Sequence, residues 1–293
     1  MKIAVVGIGV MGSAIARRLV EQQCDVYVYD TSPDRVSALV AMGATAAASA
    51  AAAVTASDIT ITSLNTADIV ESVVFGDGGF LSVGSGEKLL IDMSSIDAGR
   101  TARMAERLRR DCGMGWVDAP LSGGAPAAAR GELTLMVGGD DRDVERALSV
   151  LSFLSKNITH FGAPGAGQTV KAINQVLCAA SFLAVAEAVR FAEAHGVDAA
   201  RIPAALAGGR ADSRILQEFM AKMAQRDYSP TGRIDNMLKD LETVQAAALT
   251  RRIPMPVTSV IADLHRMLVA GGFGAADSAE YMRLFDLAAG SRP

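Results

Sequence analysis

Three groups of residues in this chain could do chemistry. Lys171, Asn174 and Gln175 stand at i, i+3 and i+4, which puts them on one face if the segment is helical. An amine with amides beside it can exchange a proton with an alcohol and orient the same oxygen. Alcohol oxidation needs that amine neutral, and burial on an apolar helix would lower it from the about 10.4 of a free lysine. A lysine snorkelling from the end of a buried helix has the same pattern, so the residues alone leave both readings open.

The second group, Ser122-Gly123-Gly124, follows a short strand-like run and precedes a helix expected through Pro126. A hydroxyl and two unencumbered backbone N–H groups can cradle a carboxylate, or form a plain turn. The third group is Gly7-Ile8-Gly9-Val10-Met11-Gly12, a GxGxxG string between a strand-like and a helix-like segment. Its glycines permit a tight turn, close approach of a pyrophosphate and close helix–strand packing. Asp30 closes the next strand, where a carboxylate accepts the ribose hydroxyls of an adenosine and repels a 2′-phosphate. That favours NAD over NADP, with Arg35 the nearby residue that could favour NADP. Asp30 could instead cap the following helix, although Ser32 before Pro33 suits that role better.

Other candidates are weaker. Lys239 lies in a helical stretch from Arg233 towards Arg252, either as a site residue or on a solvated face with Glu242 at i+3. His160 ends a strand, His195 precedes Gly196 at a helix end, and His265 sits beside Arg266 on what reads as a polar helix face. They assemble into no catalytic dyad, and no metal-ligand spacing stands out, so no metal is expected. Asp118 reads as structural, anchoring the loop to Ser122.

The elements that must position these residues follow from periodicity. Strand-like runs at 2–6, 25–29, 59–62, 89–91, 116–118, 133–137 and 158–161 alternate with amphipathic stretches at 11–21, 33–42, 67–74, 98–110 and 143–154. Such alternation implies an α/β fold, a Rossmann-type doubly wound, mostly parallel sheet covered on both faces. The Ala-rich segment 45–56 reads as a small helix or loop. After Gly162-Ala163-Pro164-Gly165 only helical periods remain, beginning with a long one from Gly167 to about His195. The expected organisation is a dinucleotide-binding domain at 1–163 and an all-α substrate and dimerisation domain at 164–293.

Composition narrows the classes. A net charge of −4 over 293 residues argues against a nucleic-acid-binding surface. Cys24, Cys112 and Cys178 are too few and too scattered for a disulfide framework. The apolar run 3–6 is too short for a signal peptide, and the segment 176–185 is shorter than the roughly 20 residues of a membrane span. The expectation is a cytoplasmic protein with no membrane association.

The fingerprint, the run Asp118-Ala119-Pro120-Leu121-Ser122-Gly123-Gly124, the run Gly167-Gln168-Thr169-Val170-Lys171-Ala172-Ile173-Asn174-Gln175 and Lys239-Asp240-Leu241 together resemble the 3-hydroxyisobutyrate dehydrogenase (β-hydroxyacid dehydrogenase) family. The stretch Gly208–Leu216 and the Asn174-Gln175 pair most resemble its tartronate semialdehyde reductase branch. Asn65, Ser95 and Gln23-Cys24 depart from the usual proline, threonine and glycine. The segment Arg233–Leu238 departs from that branch. The resemblance implies an NAD-dependent oxidoreductase acting on a small 3-hydroxy carboxylate, with Lys171 as acid/base. It implies substrate contacts from Ser122, Gly123, Gly124, Asn174 and Lys239, and cofactor contacts from Gly7 to Gly12, Asp30, Leu64, Asn65, Ser95 and Lys239. It also implies a homodimer or homotetramer, because the long apolar helix is hard to cover within one small domain. A sugar-acid dehydrogenase (threonate or 6-phosphogluconate type) and a non-catalytic NAD-binding scaffold stay open as alternatives.

Overall fold

A computed structural model describes residues 1–286, which divide into two compact units, Met1–Lys171 and from Ala172 onward. The first unit alternates strands β1 (Lys2–Val6), β2 (Asp25–Tyr29), β3 (Thr45–Ala46), β4 (Ile59–Thr62), β5 (Leu89–Asp92) and β6 (Gly115–Asp118) with helices α1 (Val10–Glu21), α2 (Pro33–Val40), α3 (Ala50–Ala56), α4 (Ala67–Phe75) and α5 (Ala98–Cys112). These strands are parallel in the order β3-β2-β1-β4-β5-β6. There follow β7 (Leu121–Ser122), α6 (Gly124–Arg130), β8 (Thr134–Gly139), α7 (Asp141–Leu154) and β9 (Asn157–His160). β8 runs antiparallel to β6 and β7 and parallel to β9. The sheet is therefore mostly parallel, as the alternation implied.

Successive strand residues point to opposite faces, and both faces are dry. In β1, Ile3 and Val5 join a core with Ile15 and Leu19 of α1 and Val150 and Leu154 of α7. Ala4 and Val6 join the opposite core with Val70 and Val74 of α4 and Met104 and Leu108 of α5. The Ala-rich segment splits in two. Thr45–Ala46 pairs with β2, and Ser49 then caps α3 by accepting from the Ala52 N–H at 3.0 Å. Two residues are too short a run for alternation to reveal, which is why β3 and β7 are not visible in the sequence.

The second unit is helical. Its core gathers Ala179, Phe182, Ala186 and Val189 of α8 (Ala166–Ala194), a spacing of three and four residues. Around it pack α9 (Ile202–Leu206), α10 (Arg214–Ala224), α11 (Ile234–Thr250), α12 (Pro256–Leu268) and α13 (Arg283–Asp286). Phe182 meets Phe219 of α10 edge-on at 4.7 Å. Among the described residues α8 is the one helix long and apolar enough to cross a membrane, well beyond the 176–185 segment read from sequence. Its buried stripe forms part of the core of this unit, while Ile173, Leu177 and Phe191 on the same helix are exposed.

His265 differs from its expected polar face: it is fully buried. Its Nδ1–H donates to the Ile261 carbonyl at 2.7 Å, so Nε2 accepts from the Tyr281 hydroxyl, also at 2.7 Å. Burial holds the ring below its ordinary 6.5. The unfolded chain then binds more protons than the folded one below pH 6.5, so stability is lost as pH falls through that value. We expect His265→Gln to flatten this acid-side loss in pH-resolved thermal denaturation. A loss as steep as in the unsubstituted protein would contradict the assignment.

Candidate active site

Parallel strands release their chains at the same end, so the turns after β2, β1, β4, β5 and β6 form a row in that order. Asp30 follows β2, Gly7–Gly12 follows β1, Leu64 and Asn65 follow β4, and Ser95 follows β5. Ser122 lies just past β6, on β7, with α6 starting at Gly124. The first unit thus collects the expected dinucleotide contacts other than Lys239, the Ser122–Gly124 segment expected to hold a carboxylate, and Lys171. Asn174 and Lys239 belong to the second unit.

The three fingerprint glycines are required for different reasons. A Cβ on Gly12 would lie 1.9 Å from the Gly7 carbonyl oxygen, and Gly7 itself has φ +86°. A Cβ on Gly9 would meet nothing within 4 Å. The protein's own packing does not demand a glycine there, whereas close approach of a pyrophosphate does. The residues present therefore fit a dinucleotide. Val10 is 80% exposed at the start of α1, Met11 packs partly against the core, and the Ile8 side chain is fully buried.

Ile8 contributes its backbone N–H, which donates to Asp30 Oδ2 at 2.8 Å. Asp30 Oδ1 accepts from the Ser32 N–H at 2.9 Å and faces Arg35 Nη1 at 3.6 Å. Ser32 occupies the N-cap of α2 but its side chain makes no capping bond. The carboxylate thus ties the second-strand turn to the glycine turn, and Arg35 leans on that same group.

Lys171 is buried, 9% exposed, on α8. The turn before it is held from two sides. Asp118 accepts from the Gly165 N–H at 2.7 Å and the Gln168 N–H at 2.9 Å, satisfying donors that a helix start leaves unpaired. The Gln168 side chain donates to the Ser94 carbonyl at 2.8 Å and accepts from the Ile96 N–H at 3.1 Å, gripping the loop that carries Ser95. Ser94 Oγ in turn accepts from the Leu64 N–H at 3.0 Å. Asp118 therefore anchors the start of α8, beyond the loop role expected of it. No motif in the sequence marks Gln168 on its own, although its place three residues before Lys171 on one helix face is the signal.

Two buried carboxylates meet at this end of the sheet, because Asp92 and Asp118 are register partners on β5 and β6. Asp92 accepts from Thr62 Oγ1 and the Ser94 N–H through Oδ1, while Oδ2 is buried without a hydrogen-bond partner. Burial pushes the Asp92 carboxyl above its ordinary value. Burial also pushes Asp118 up to about 6, opposed by its two backbone donors and reinforced by Asp92.

In the second unit, Asn174 Nδ2 lies 2.9 Å from Gln175 Oε1, and Gln175 Nε2 lies 2.6 Å from Asp240 Oδ2. Lys239 pairs with Asp240 at 3.1 Å, not with Glu242, which faces Arg266 instead. Gln175 and Asp240 both stand in the motif runs of the sequence, but their pairing with each other is a finding of the structure.

Comparison with known proteins agrees with this geometry. Residues 2–162 match the family described as the NAD binding domain of 6-phosphogluconate dehydrogenase. Residues 165–285 match that described as NAD-binding of NADP-dependent 3-hydroxyisobutyrate dehydrogenase. The chain is 34% identical to 2-hydroxy-3-oxopropionate reductase of Escherichia coli over 99% of this chain and 98% of that one. It is 35% identical to the NAD-dependent L-serine dehydrogenase of Pseudomonas aeruginosa, over 97% and 98%. The solved 3-hydroxyisobutyrate dehydrogenase of Mycobacterium tuberculosis with L-serine superposes with a TM-score of 0.87 at 29% identity, covering 97% and 98%.

The Asp118 carboxyl gives a pH signature opposite to that of His265. Between 3.8 and about 6 the folded state holds a proton that the unfolded chain lacks. Stability from this group is therefore present at low pH and lost as pH rises through about 6, by about 3 kcal/mol at most. Asp118→Asn should remove that dependence and lower stability by about 1–3 kcal/mol, since an amide nitrogen would face a backbone N–H. Thermal melts from pH 4 to pH 8 check both; an unchanged pH slope would reject the assignment.

Proposed function

The chain belongs to the 3-hydroxyisobutyrate dehydrogenase family of NAD(P)-dependent oxidoreductases acting on CH–OH groups, and from that premise we propose its reaction and its site residues. The reaction is interconversion of a small 3-hydroxy carboxylate and its semialdehyde or ketone. Reduction of 2-hydroxy-3-oxopropionate (tartronate semialdehyde) or oxidation of 3-hydroxyisobutyrate is the best-supported choice. The observation that carries the reading is the clamp by Asp118 and Gln168, which ties the turn before Lys171 to the Ser95 loop.

When bound, the nicotinamide accepts or supplies the hydride. The protein does the rest. Ser122 and the N–H groups of Gly123 and Gly124 hold the substrate carboxylate, so that the hydroxyl carbon is oriented. In oxidation the hydroxyl proton passes to Lys171 Nζ as the C–H hydride leaves; in reduction the protonated amine returns it. Asn174 and Lys239 are the residues of the second unit assigned to substrate, and Gly7–Gly12, Asp30, Leu64, Asn65 and Ser95 those assigned to NAD, with Lys239 also a candidate there. We place the enzyme in the cytoplasm.

Exposed apolar side chains on α8 support self-association. Ile173, Leu177 and Phe191 are 55%, 62% and 68% exposed. A homodimer or homotetramer would cover them, and light scattering should give at least twice the 30.4 kDa chain mass. A stable monomer would count against this.

Lys171→Ala should lower turnover by roughly 10²–10⁴, the range for a positioned acid/base. Turnover close to that of the unsubstituted enzyme would reroute the proton, with Lys239 next to test. Asp30→Ala should weaken NAD binding by about tenfold or more, the loss of a charge-assisted bond, and relax the preference over NADP. Titration with both reduced cofactors checks this, and an unsubstituted enzyme that prefers NADP would point to Arg35.

A further inference from the structure

Asn174 can present either end of its amide, and which end it presents decides what it recognises. The side chains linked to it remove the choice. Asp240, a carboxylate, can only accept hydrogen bonds, and its Oδ1 is paired with Lys239 at 3.1 Å. Its Oδ2 lies 2.6 Å from the Gln175 amide, so Gln175 must turn its NH₂ group there and its Oε1 away. That Oε1 is again an acceptor, 2.9 Å from the Asn174 amide, so the Asn174 atom facing it is Nδ2. The other Nδ2 hydrogen has Cys178 Sγ at 3.6 Å as a weak acceptor. The Asp240 carboxylate thereby favours this direction for each bond along Asp240, Gln175 and Asn174, leaving the carbonyl Oδ1 as the end of Asn174 to offer.

We infer that Asp240 and Gln175 are positioning residues that make Asn174 an acceptor towards the substrate, so that the enzyme selects hydroxy acids carrying a hydrogen-bond donor on C2. The inference rests on the hydroxy-acid reading above. In a 3-hydroxy acid C1 is the carboxylate, and the C3 hydroxyl gives its only proton to Lys171. The carbon between them is where a further donor can sit, as a hydroxyl or an ammonium. A methyl or hydrogen at C2 leaves the Asn174 carbonyl without its partner, and sites built to hydrogen-bond discriminate strongly against analogues that cannot.

The test compares glycerate and L-serine with 3-hydroxyisobutyrate and 3-hydroxypropionate. It uses kcat/KM with NAD, and calorimetric Kd for dead-end complexes with the NADH-loaded enzyme. The unsubstituted enzyme should favour the two C2-donor substrates at least tenfold in both measures. Glycerate and L-serine separate hydroxyl from ammonium, and preference for either supports the inference. In Gln175→Ala and Asp240→Asn the amide can turn round, and the preference should fall to about threefold or less. Asp240→Glu, which keeps the carboxylate, should retain it. A merely structural loss would lower all four substrates alike and leave the ratio unchanged. No preference in the unsubstituted enzyme, or an unchanged ratio in both relay variants, would overturn the relay while leaving the hydroxy-acid reading intact. Turnover of none of the four with NAD or NADP would overturn that reading and the relay with it.

Discussion

The bonds from Asp118 to the first turn of α8 fix the start of the helix that carries Lys171. A helix start exposes N–H groups that must find acceptors, and in a dry position water cannot serve. Asp118 supplies both oxygens from the end of β6, to the Gly165 and Gln168 N–H groups. The cost is a buried carboxyl pushed up to about 6 beside a second buried carboxyl, Asp92. Such an arrangement persists because breaking it would leave several groups unpaired at once.

From that anchor the geometry propagates by side chains that each hold two segments. Gln168 takes the Ser94 carbonyl and the Ile96 N–H, Ser94 takes the Leu64 N–H, and Asp30 takes the Ile8 N–H. The loops after β4 and β5 and the turn before Lys171 are therefore not independent, nor are the turns after β1 and β2. Catalytic geometry tolerates little slack, and polar bonds of fixed direction limit it better than apolar packing does.

Charge plays a second part in the helical unit. Apolar packing of Phe182, Phe219 and their neighbours sets where α8 and α10 lie, but it does not choose which way an amide faces. The Asp240 carboxylate favours one direction for Gln175, and through it for Asn174, because it has no donor to offer. Specificity of this kind depends on the direction of a hydrogen bond, which neither volume nor hydrophobicity encodes.

Local pattern in the sequence was sufficient for the alternating strands and helices, the glycine turn and Asp30 at the end of β2. Each rests on residues within a few positions of one another, where periodicity and backbone freedom act directly. The first compact unit, by contrast, runs on to Lys171, past the 163/164 boundary expected from the sequence. The two-residue strands β3 and β7 were too short to show a period, and His265 read as polar because its neighbour is Arg266, although the fold buries it against Tyr281. The clamp and the relay could come only from tertiary structure. Asp118 and Gly165 are 47 residues apart, Ser94 and Gln168 are 74, and Gln175 and Asp240 are 65. A side chain's hydrogen-bond partner across such a distance is decided by which strand ends and helix faces the core brings together, and no local spacing carries that information.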